Sequence, residues 1–302
     1  MSKLVMERSG IIVTSYCNLN CALCSAYVPY YKQSHVPIDK ITVYLKKFFE
    51  IVSYVKRFTI SGGEPLMYPE LERVINECYK YETQIGDLQL ITNGTIVPSK
   101  NVLFELEKFG CKANILVDNY GGTLSRKIDV ISDVLGNTNV RYVIRENNDK
   151  DSHCSGWVDY GDLTQKKCAK TEEIKQVYAN CAQSQKLKFC FSIWIDGSMH
   201  PCSQSRRCME LGSIPYNYRE YVDLLDESLT IEEQKNKIRD IYSSELLTAC
   251  SFCNGMNDSS ERFVPGVQLT SEEKNCIKQG ANQYSEVKRM LKNFENYGRN
   301  MI

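Results

Sequence analysis

From residue 10 to residue 144 the sequence alternates short apolar runs with segments of helical periodicity, and that order leaves few folds open. Gly10-Ile11-Ile12-Val13-Thr14 reads as a buried strand. Over residues 38–52 the apolar side chains Ile41, Tyr44, Leu45, Phe48 and Ile51 recur at helical spacing. Arg57-Phe58-Thr59-Ile60 is a short strand, and residues 69–81 form a helix that opens on a proline. Strands at 88–91, 113–117 and 140–144 then alternate with helices at 100–109 and 125–135. Strands separated by helices in this way lie parallel, with right-handed crossovers. The expected fold class is α/β, a partial (β/α)6 TIM-like barrel with a small C-terminal domain. In such barrels the chemistry sits on loops that follow the strands. Each motif can therefore be weighed by whether it follows a strand.

Past residue 145 the alternation stops. Residues 170–183 look helical, and 189–195 read as a strand ending in Asp196-Gly197, a strong hairpin-turn signal. Residues 220–247 are charged and mostly helical, and 248–265 are loop-like with two cysteines. From Glu272 onward an amphipathic helix closes the chain. The domain boundaries that follow are 1–165 for the barrel, 166–270 for a second unit and 271–302 for a terminal helix.

Composition narrows the function. Lysine plus arginine and aspartate plus glutamate number 37 each, so the basic excess of a nucleic-acid binder is missing. No run approaches the ~20 apolar residues of a membrane helix. The first ten residues carry charge and no apolar run, which is unlike a signal peptide. A cytoplasmic protein is expected, and there 14 cysteines are not a disulfide framework. Some should bind metal or clusters. The rest are small buried hydrophobes, Cys78 and Cys276 in helices among them.

Cys17, Cys21 and Cys24 follow the first strand with the spacing C-x3-C-x2-C. Three thiolates on one short loop hold three irons of a four-iron cluster and leave the fourth open to a small molecule. Structural zinc prefers four ligands. Ser61-Gly62-Gly63-Glu64-Pro65 follows the second strand. Its glycines allow close backbone approach, and its carboxylate can accept bonds from an ammonium group. Thr92-Asn93-Gly94-Thr95 follows the third strand, Asp118-Asn119-Tyr120-Gly121 the fourth and Arg145-Glu146 the fifth.

The cysteine spacing and the Gly-Gly-Glu-Pro segment resemble the signatures of the radical S-adenosylmethionine (SAM) superfamily. The resemblance implies a 4Fe-4S cluster on Cys17, Cys21 and Cys24 whose open iron is chelated by SAM. Reductive cleavage of SAM then gives a 5′-deoxyadenosyl radical that abstracts a hydrogen from substrate. It implies SAM contacts from Gly62, Gly63, Glu64 and Pro65, a motif that holds the SAM amino group, and further contacts from Asn93 and Asp118. Leu23 stands where the family usually has an aromatic residue near the adenine. Arg145 is placed to meet a substrate.

A second set of cysteines adds to this. Cys181 precedes Gly197 by 16 positions, Cys202 follows it by five, and Cys250-x2-Cys253 comes later. The pattern resembles the SPASM and shorter twitch domains, and it implies a second, auxiliary 4Fe-4S cluster on Cys181, Cys202, Cys250 and Cys253. Zinc at these four is the alternative, and Cys190 or Cys168 could stand in for Cys181. Cys154 and Cys208 are candidate hydrogen-atom donors to a substrate radical. His153 and His200 are read as surface residues rather than proton-transfer groups.

Relatives of the twitch type, an aminocyclitol dehydrogenase and the neomycin epimerase, act on sugar-like molecules. The expectation is therefore oxidation or epimerisation of a small sugar-like or glycosyl substrate, with flavodoxin or ferredoxin as external electron donor. A peptide-modifying maturase, such as a peptide epimerase, is the enzymatic rival. A non-catalytic cluster carrier or zinc-binding protein is the rival of another class.

Overall fold

The computed structural model of the chain describes residues 3–147 and 152–273. β1 (Val5–Thr14), β2 (Tyr54–Gly62), β3 (Ile85–Thr92), β4 (Ala113–Asn119) and β5 (Arg141–Glu146) pair in sequence order, and every pair is parallel. The crossovers carry α1 (Ile38–Ile51), α2 (Leu71–Tyr79), α3 (Lys100–Glu107) and α4 (Ile128–Gly136). Each strand sends alternate side chains toward these helices. Phe58 and Ile60 of β2, and Leu88 and Leu90 of β3, join Tyr44, Leu45 and Phe48 of α1 in one buried core. The α1 stripe forms because its apolar residues recur at helical spacing, and Val52 ends it in an extended conformation. Phe48 is fully buried, with its ring 4.8 Å from Phe49 and 5.4 Å from Phe58.

After β5 come β6 (Trp157–Val158), α5 (Thr171–Asn180), α6 (Ala182–Gln185), β7 (Phe191–Ile193) and β8 (Ser198–His200). They are followed by α7 (Ser203–Glu210), β9 (Val222–Asp223), α8 (Ile231–Ser243) and β10 (Arg262–Phe263). The eight-stranded sheet runs β5-β4-β3-β2-β1-β7-β8-β9, while β10 and β6 form a separate antiparallel pair. The fold is thus a mixed α/β open arc of the TIM-like kind, with a sixth parallel strand. That strand is β7, and it sits beside β1 rather than after β5: Ser9 faces Phe191 and Ile11 faces Ile193. The Ser9 hydroxyl donates to the Phe191 carbonyl at 2.6 Å, and Tyr44 donates to the Ile195 carbonyl at 3.1 Å.

The hairpin turn falls at Asp196-Gly197, as its sequence requires. Gly197 has φ of 85°, and a Cβ there would stand 2.8 Å from the Tyr44 ring, so both conformation and space call for glycine. Two elements differ from expectation. The helix over 170–183 breaks at Cys181, which takes an extended backbone between α5 and α6. Residues 220–247 are helical only from Ile231, where Thr230 and Glu233 form a capping box; Val222–Asp223 instead edges the sheet. Of the closing helix, residues beyond 273, Cys276 included, lie outside the described residues.

Candidate active site

The loop after β1 places Cys17, Cys21 and Cys24 together. Cys24 N–H donates to the Cys21 carbonyl at 3.2 Å, and Tyr27 N–H to the Cys24 carbonyl at 2.9 Å. The sulfurs receive donors: Leu19 N–H reaches Cys17 Sγ at 3.4 Å and Gln268 Nε2 reaches Cys21 Sγ at 3.2 Å. Burial pushes all three thiols up, Cys17 to about 11, and the neighbouring anionic groups Cys24 and Glu64 push Cys17 further. Neighbouring thiols whose ionisation is opposed by desolvation and by one another are stabilised as thiolates by a bound cation. The donor set therefore fits an iron–sulfur cluster, whose ligands are cysteine thiolates held by amide hydrogen bonds.

A segment far along the chain shapes the same loop. Ala22 N–H donates to the Val267 carbonyl and Leu269 N–H to the Asn20 carbonyl, both at 2.8 Å. The Gln268 side chain accepts from Asn20 N–H at 2.7 Å. Sequence reasoning missed Gln268, and no local pattern marks it.

The Gly62–Pro65 loop closes on the cysteine loop from the other side. Gly63 N–H donates to the Thr14 carbonyl and Glu64 N–H to the Tyr16 carbonyl, each at 2.8 Å. Glu64 is fully buried. Its Oε1 accepts from the Thr92 hydroxyl at 2.8 Å and from Leu66 N–H at 3.0 Å, and its Oε2 accepts from Asn93 N–H at 2.7 Å. Burial raises its carboxyl to about 7 against these bonds. The carboxylate so ties the end of β2 to the end of β3. Pro65 opens a short 3-10 turn, Pro65–Met67. Asn93 Nδ2 donates to Asn18 Oδ1 at 2.9 Å and stands 3.7 Å from Cys17 Sγ, which brings the third loop onto the cysteines. Leu23 is half-buried between Ala22 and Cys24.

At the ends of β4 and β5, Asp118 is paired with Arg145. Arg145 Nε and Nη2 donate to its two oxygens at 2.7 Å each, and Asn147 Nδ2 adds a bond at 2.9 Å. Tyr120, two residues on, has its hydroxyl held far above the usual range by burial and by the charges of Asp118, Cys21 and Cys24. Its ring meets Trp157 edge-on at 5.8 Å. The sequence marked this turn but not Tyr120, an aromatic beside the cysteine loop.

Of the two candidate hydrogen donors, Cys154 lines the cavity inside the sheet, which measures about 1150 Å³, with His153 beside it. Cys208 lies in a second apolar core with Met209, Ile214 and Phe252 and is fully buried. Cys190, not expected there, lines the same interior cavity as Cys154. His200 corrects its surface reading: it is 1% exposed, stacked on Tyr221 at 4.9 Å, and burial pushes it down to about 3.

Cys181, Cys202, Cys250 and Cys253 line one small cavity together with Tyr160 and Tyr178. Cys202 Sγ accepts from Ser205 N–H at 3.4 Å and Cys253 Sγ from Gly255 N–H at 3.3 Å. Burial raises Cys202, Cys250 and Cys253, and the thiols raise one another. Among the described residues no three histidine, cysteine or acidic side chains converge tightly enough to hold a single metal ion. The buried Tyr27 hydroxyl, which makes no hydrogen bond of ordinary length, lies beside Cys253 and Cys202. Cys168 is tied by its backbone to the Ser251 carbonyl at 3.1 Å and lies off this cavity.

Residues 11–120 match the family model described as the radical SAM superfamily. The GTP 3′,8-cyclase of Helicobacter pylori (strain HPAG1) is 30% identical over 138 residues, 44% of this chain and 41% of that protein. That of Aliarcobacter butzleri (strain RM4018) is 33% identical over 133 residues, 41% and 39% respectively. The match thus spans about two fifths of these relatives' length. Among solved structures, that of BtrN in complex with AdoMet and 2-DOIA superposes with a TM-score of 0.51 at 15% identity, over 87% of this chain and 98% of that one. That likeness is one of fold. Among the described residues no helix is long and apolar enough to cross a membrane.

Proposed function

The chain carries a radical SAM domain over residues 11–120, and from it we propose an enzyme that cleaves SAM reductively and abstracts a hydrogen atom from a small sugar-like or glycosyl substrate. Oxidation or epimerisation is the outcome. The observation that carries this reading is the seating of the cysteine loop on Gly63 and Glu64 through two backbone hydrogen bonds of 2.8 Å. Three neighbouring thiols, Cys21 buried and Cys17 and Cys24 half-buried, and a Gly-Gly-Glu turn are thereby locked into one surface, which a zinc scaffold or cluster carrier has no use for.

When bound, the cluster and SAM supply a 5′-deoxyadenosyl radical for hydrogen abstraction. The chain's own residues have the following work. Cys17, Cys21 and Cys24 would hold the cluster through their thiolates. The backbone carbonyls of Gly62 and Gly63 would hold the SAM ammonium, while the Glu64 carboxylate, fully buried and taken up by Thr92, Leu66 and Asn93, orders the Thr92–Asn93 turn instead of meeting the ammonium. Asn93 and Asp118 stand at the rim for the ribose or the methionine carboxylate, and Leu23 and Tyr120 offer apolar surface to the adenine. Arg145 is oriented by Asp118 toward the interior.

The set of Cys181, Cys202, Cys250 and Cys253 forms, in this reading, the site of an auxiliary 4Fe-4S cluster in a twitch-like unit spanning about residues 166–270. Thiols that ring a cavity suit a polynuclear cluster better than one zinc ion. Such a cluster can accept the second electron of an oxidation, and an external flavodoxin or ferredoxin supplies the first cluster. The interior of the sheet carries polar side chains such as Thr59, Ser61 and Gln89, which favours a hydroxylated small molecule over a peptide maturase's substrate.

The test is anaerobic reconstitution, with iron and sulfide per chain and dithionite-driven 5′-deoxyadenosine as readouts. Two clusters, about eight irons, with deoxyadenosine formed support the reading. Iron without any deoxyadenosine removes it and leaves a cluster carrier.

A further inference from the structure

A closed β/α barrel packs its lumen with bulky branched side chains. Here the concave positions carry Arg8 on β1, Arg57 on β2, Asp87 on β3, Asn114 on β4, and Arg141 and Arg145 on β5, around a cavity of about 1150 Å³. The formal net charge of the chain is zero, yet this wall holds four arginines and one aspartate. Arg145 is taken by Asp118. Three arginines and Asp87 remain, a net charge of 3 − 1 = +2.

The arrangement of these four is specific. Asp87 Oδ2 accepts from Arg57 Nε at 3.1 Å, and its Oδ1 accepts from Arg141 Nη2 at 2.6 Å. Asn114 Nδ2 donates to both oxygens, at 2.9 and 2.8 Å. One carboxylate therefore fixes two guanidinium groups, each with further N–H donors left over; both line the cavity, and their side chains are 40% and 55% exposed. Arg8 stands opposite Arg57 in the β1–β2 register. Among the described residues the Arg8 side chain makes no ion pair or hydrogen bond. Like charges facing across neighbouring strands repel; Asp87 is shared between Arg57 and Arg141, and no carboxylate pairs with Arg8 among the described residues.

We propose that the floor of the concave face binds an oxyanion carried by the substrate, phosphoryl or carboxylate, gripped by Arg8, Arg57 and Arg141. A planar guanidinium presents paired N–H donors that match the oxygens of either group. The anion would relieve the Arg8–Arg57 repulsion that Asp87, shared with Arg141, offsets only in part. The sheet also sets a length. From Arg57 to Gly62 the strand climbs about 16 Å, and from Arg8 to Thr14 about 20 Å. The anionic end is thus held well below the loops bearing Cys17 and Gly63, and the reacting carbon lies at the other end of an extended molecule. The substrate class is an extended hydroxylated compound with an anionic terminus, rather than a neutral or cationic ring. This rests on the radical SAM reading for the placement of the reacting carbon, but not for the anion site itself.

The experiment is calorimetric titration of the cluster-loaded protein, saturated with SAM, with inorganic pyrophosphate and separately with succinate at low salt. A dissociation constant of about 1 mM or tighter is expected for at least one anion, and the anion that binds identifies the source. Arg8→Gln and Arg141→Gln should each weaken it tenfold or more. Arg8→Gln should also melt no lower than the wild type without anion, because it removes an unpaired charge. Anion binding that neither variant changes, or no binding of either anion below about 10 mM, overturns the proposal. Iron content and deoxyadenosine formation are read on the same samples, so failure of the radical reading shows separately from failure of the anion site.

Discussion

Replacing Gly63 with alanine should unseat the cysteine loop. The added Cβ would lie well inside contact distance of the Tyr16 carbonyl oxygen, 2.6 Å from its carbon and 2.9 Å from Cys17 Cβ, where ordinary contact begins at 3.4 Å. These are mostly backbone atoms and cannot swing aside. The two loops must part by roughly 1 Å, which stretches two hydrogen bonds of 2.8 Å past the useful range. Losing them costs about 1 kcal/mol each, and the overpacking adds about 1–3 kcal/mol. A displacement of about 1 Å at reacting groups lowers rate on the order of 10²-fold. The assay is deoxyadenosine formation per loaded cluster, with iron content and thermal melting alongside. Gly122→Ala is the comparator: nothing lies within 4 Å of its added Cβ, so a change under about 0.5 kcal/mol is expected. A Gly63→Ala protein with wild-type iron, melting and rate would refute the account of how the loops are joined.

Cys17→Ala, Cys21→Ala or Cys24→Ala should abolish SAM cleavage; deoxyadenosine persisting in all three would sink the first cluster assignment. Cys202→Ala or Cys253→Ala should lower iron from about eight to about four per chain while slow uncoupled cleavage continues, and unchanged iron would dismiss the auxiliary site. Burial holds Glu64 at about 7 against an ordinary 4.5. The folded chain keeps a proton the unfolded chain releases, so this stabilisation is complete below pH 4.5 and gone above pH 7, a swing of about 3 kcal/mol. Glu64→Gln should flatten that limb in urea midpoints of the cluster-free protein; an unchanged slope would clear Glu64 of the effect. Phe48→Ala should cost about 3–5 kcal/mol by emptying the site between α1 and β2, read as a lowered denaturation midpoint.

The barrel strands and helices were legible because their signals are local. Ile41 to Ile51 repeat at helical spacing, and Asp196-Gly197 can hardly be anything but a tight turn. The cysteine and glycine motifs followed from their positions after strands. What escaped was non-local. Nothing in Phe191-Ser192-Ile193 says that it will pair with β1 rather than extend past β5. Gln268 meets Cys21 from 247 positions away, and no spacing rule reaches that far. The arginine floor did leave a trace. Parallel strands covered on both faces read as continuous apolar runs, whereas Arg57-x-Thr59-x-Ser61, Asp87-x-Gln89 and Arg141-x-Val143-x-Arg145 put mostly polar groups at every second position. That alternation says one face of the sheet is wet.

The strap at Gly266–Leu269 has a consequence for synthesis. The cysteine loop leaves the ribosome some 245 residues ahead of its partners Val267, Gln268 and Leu269. At about 5–20 residues per second that interval is roughly 12–50 s. During it the three thiols are made but their loop lacks its final clasp. On the proposed reading, a cluster assembled in that window would meet an unfinished and more open nest, to which the completed chain withdraws access.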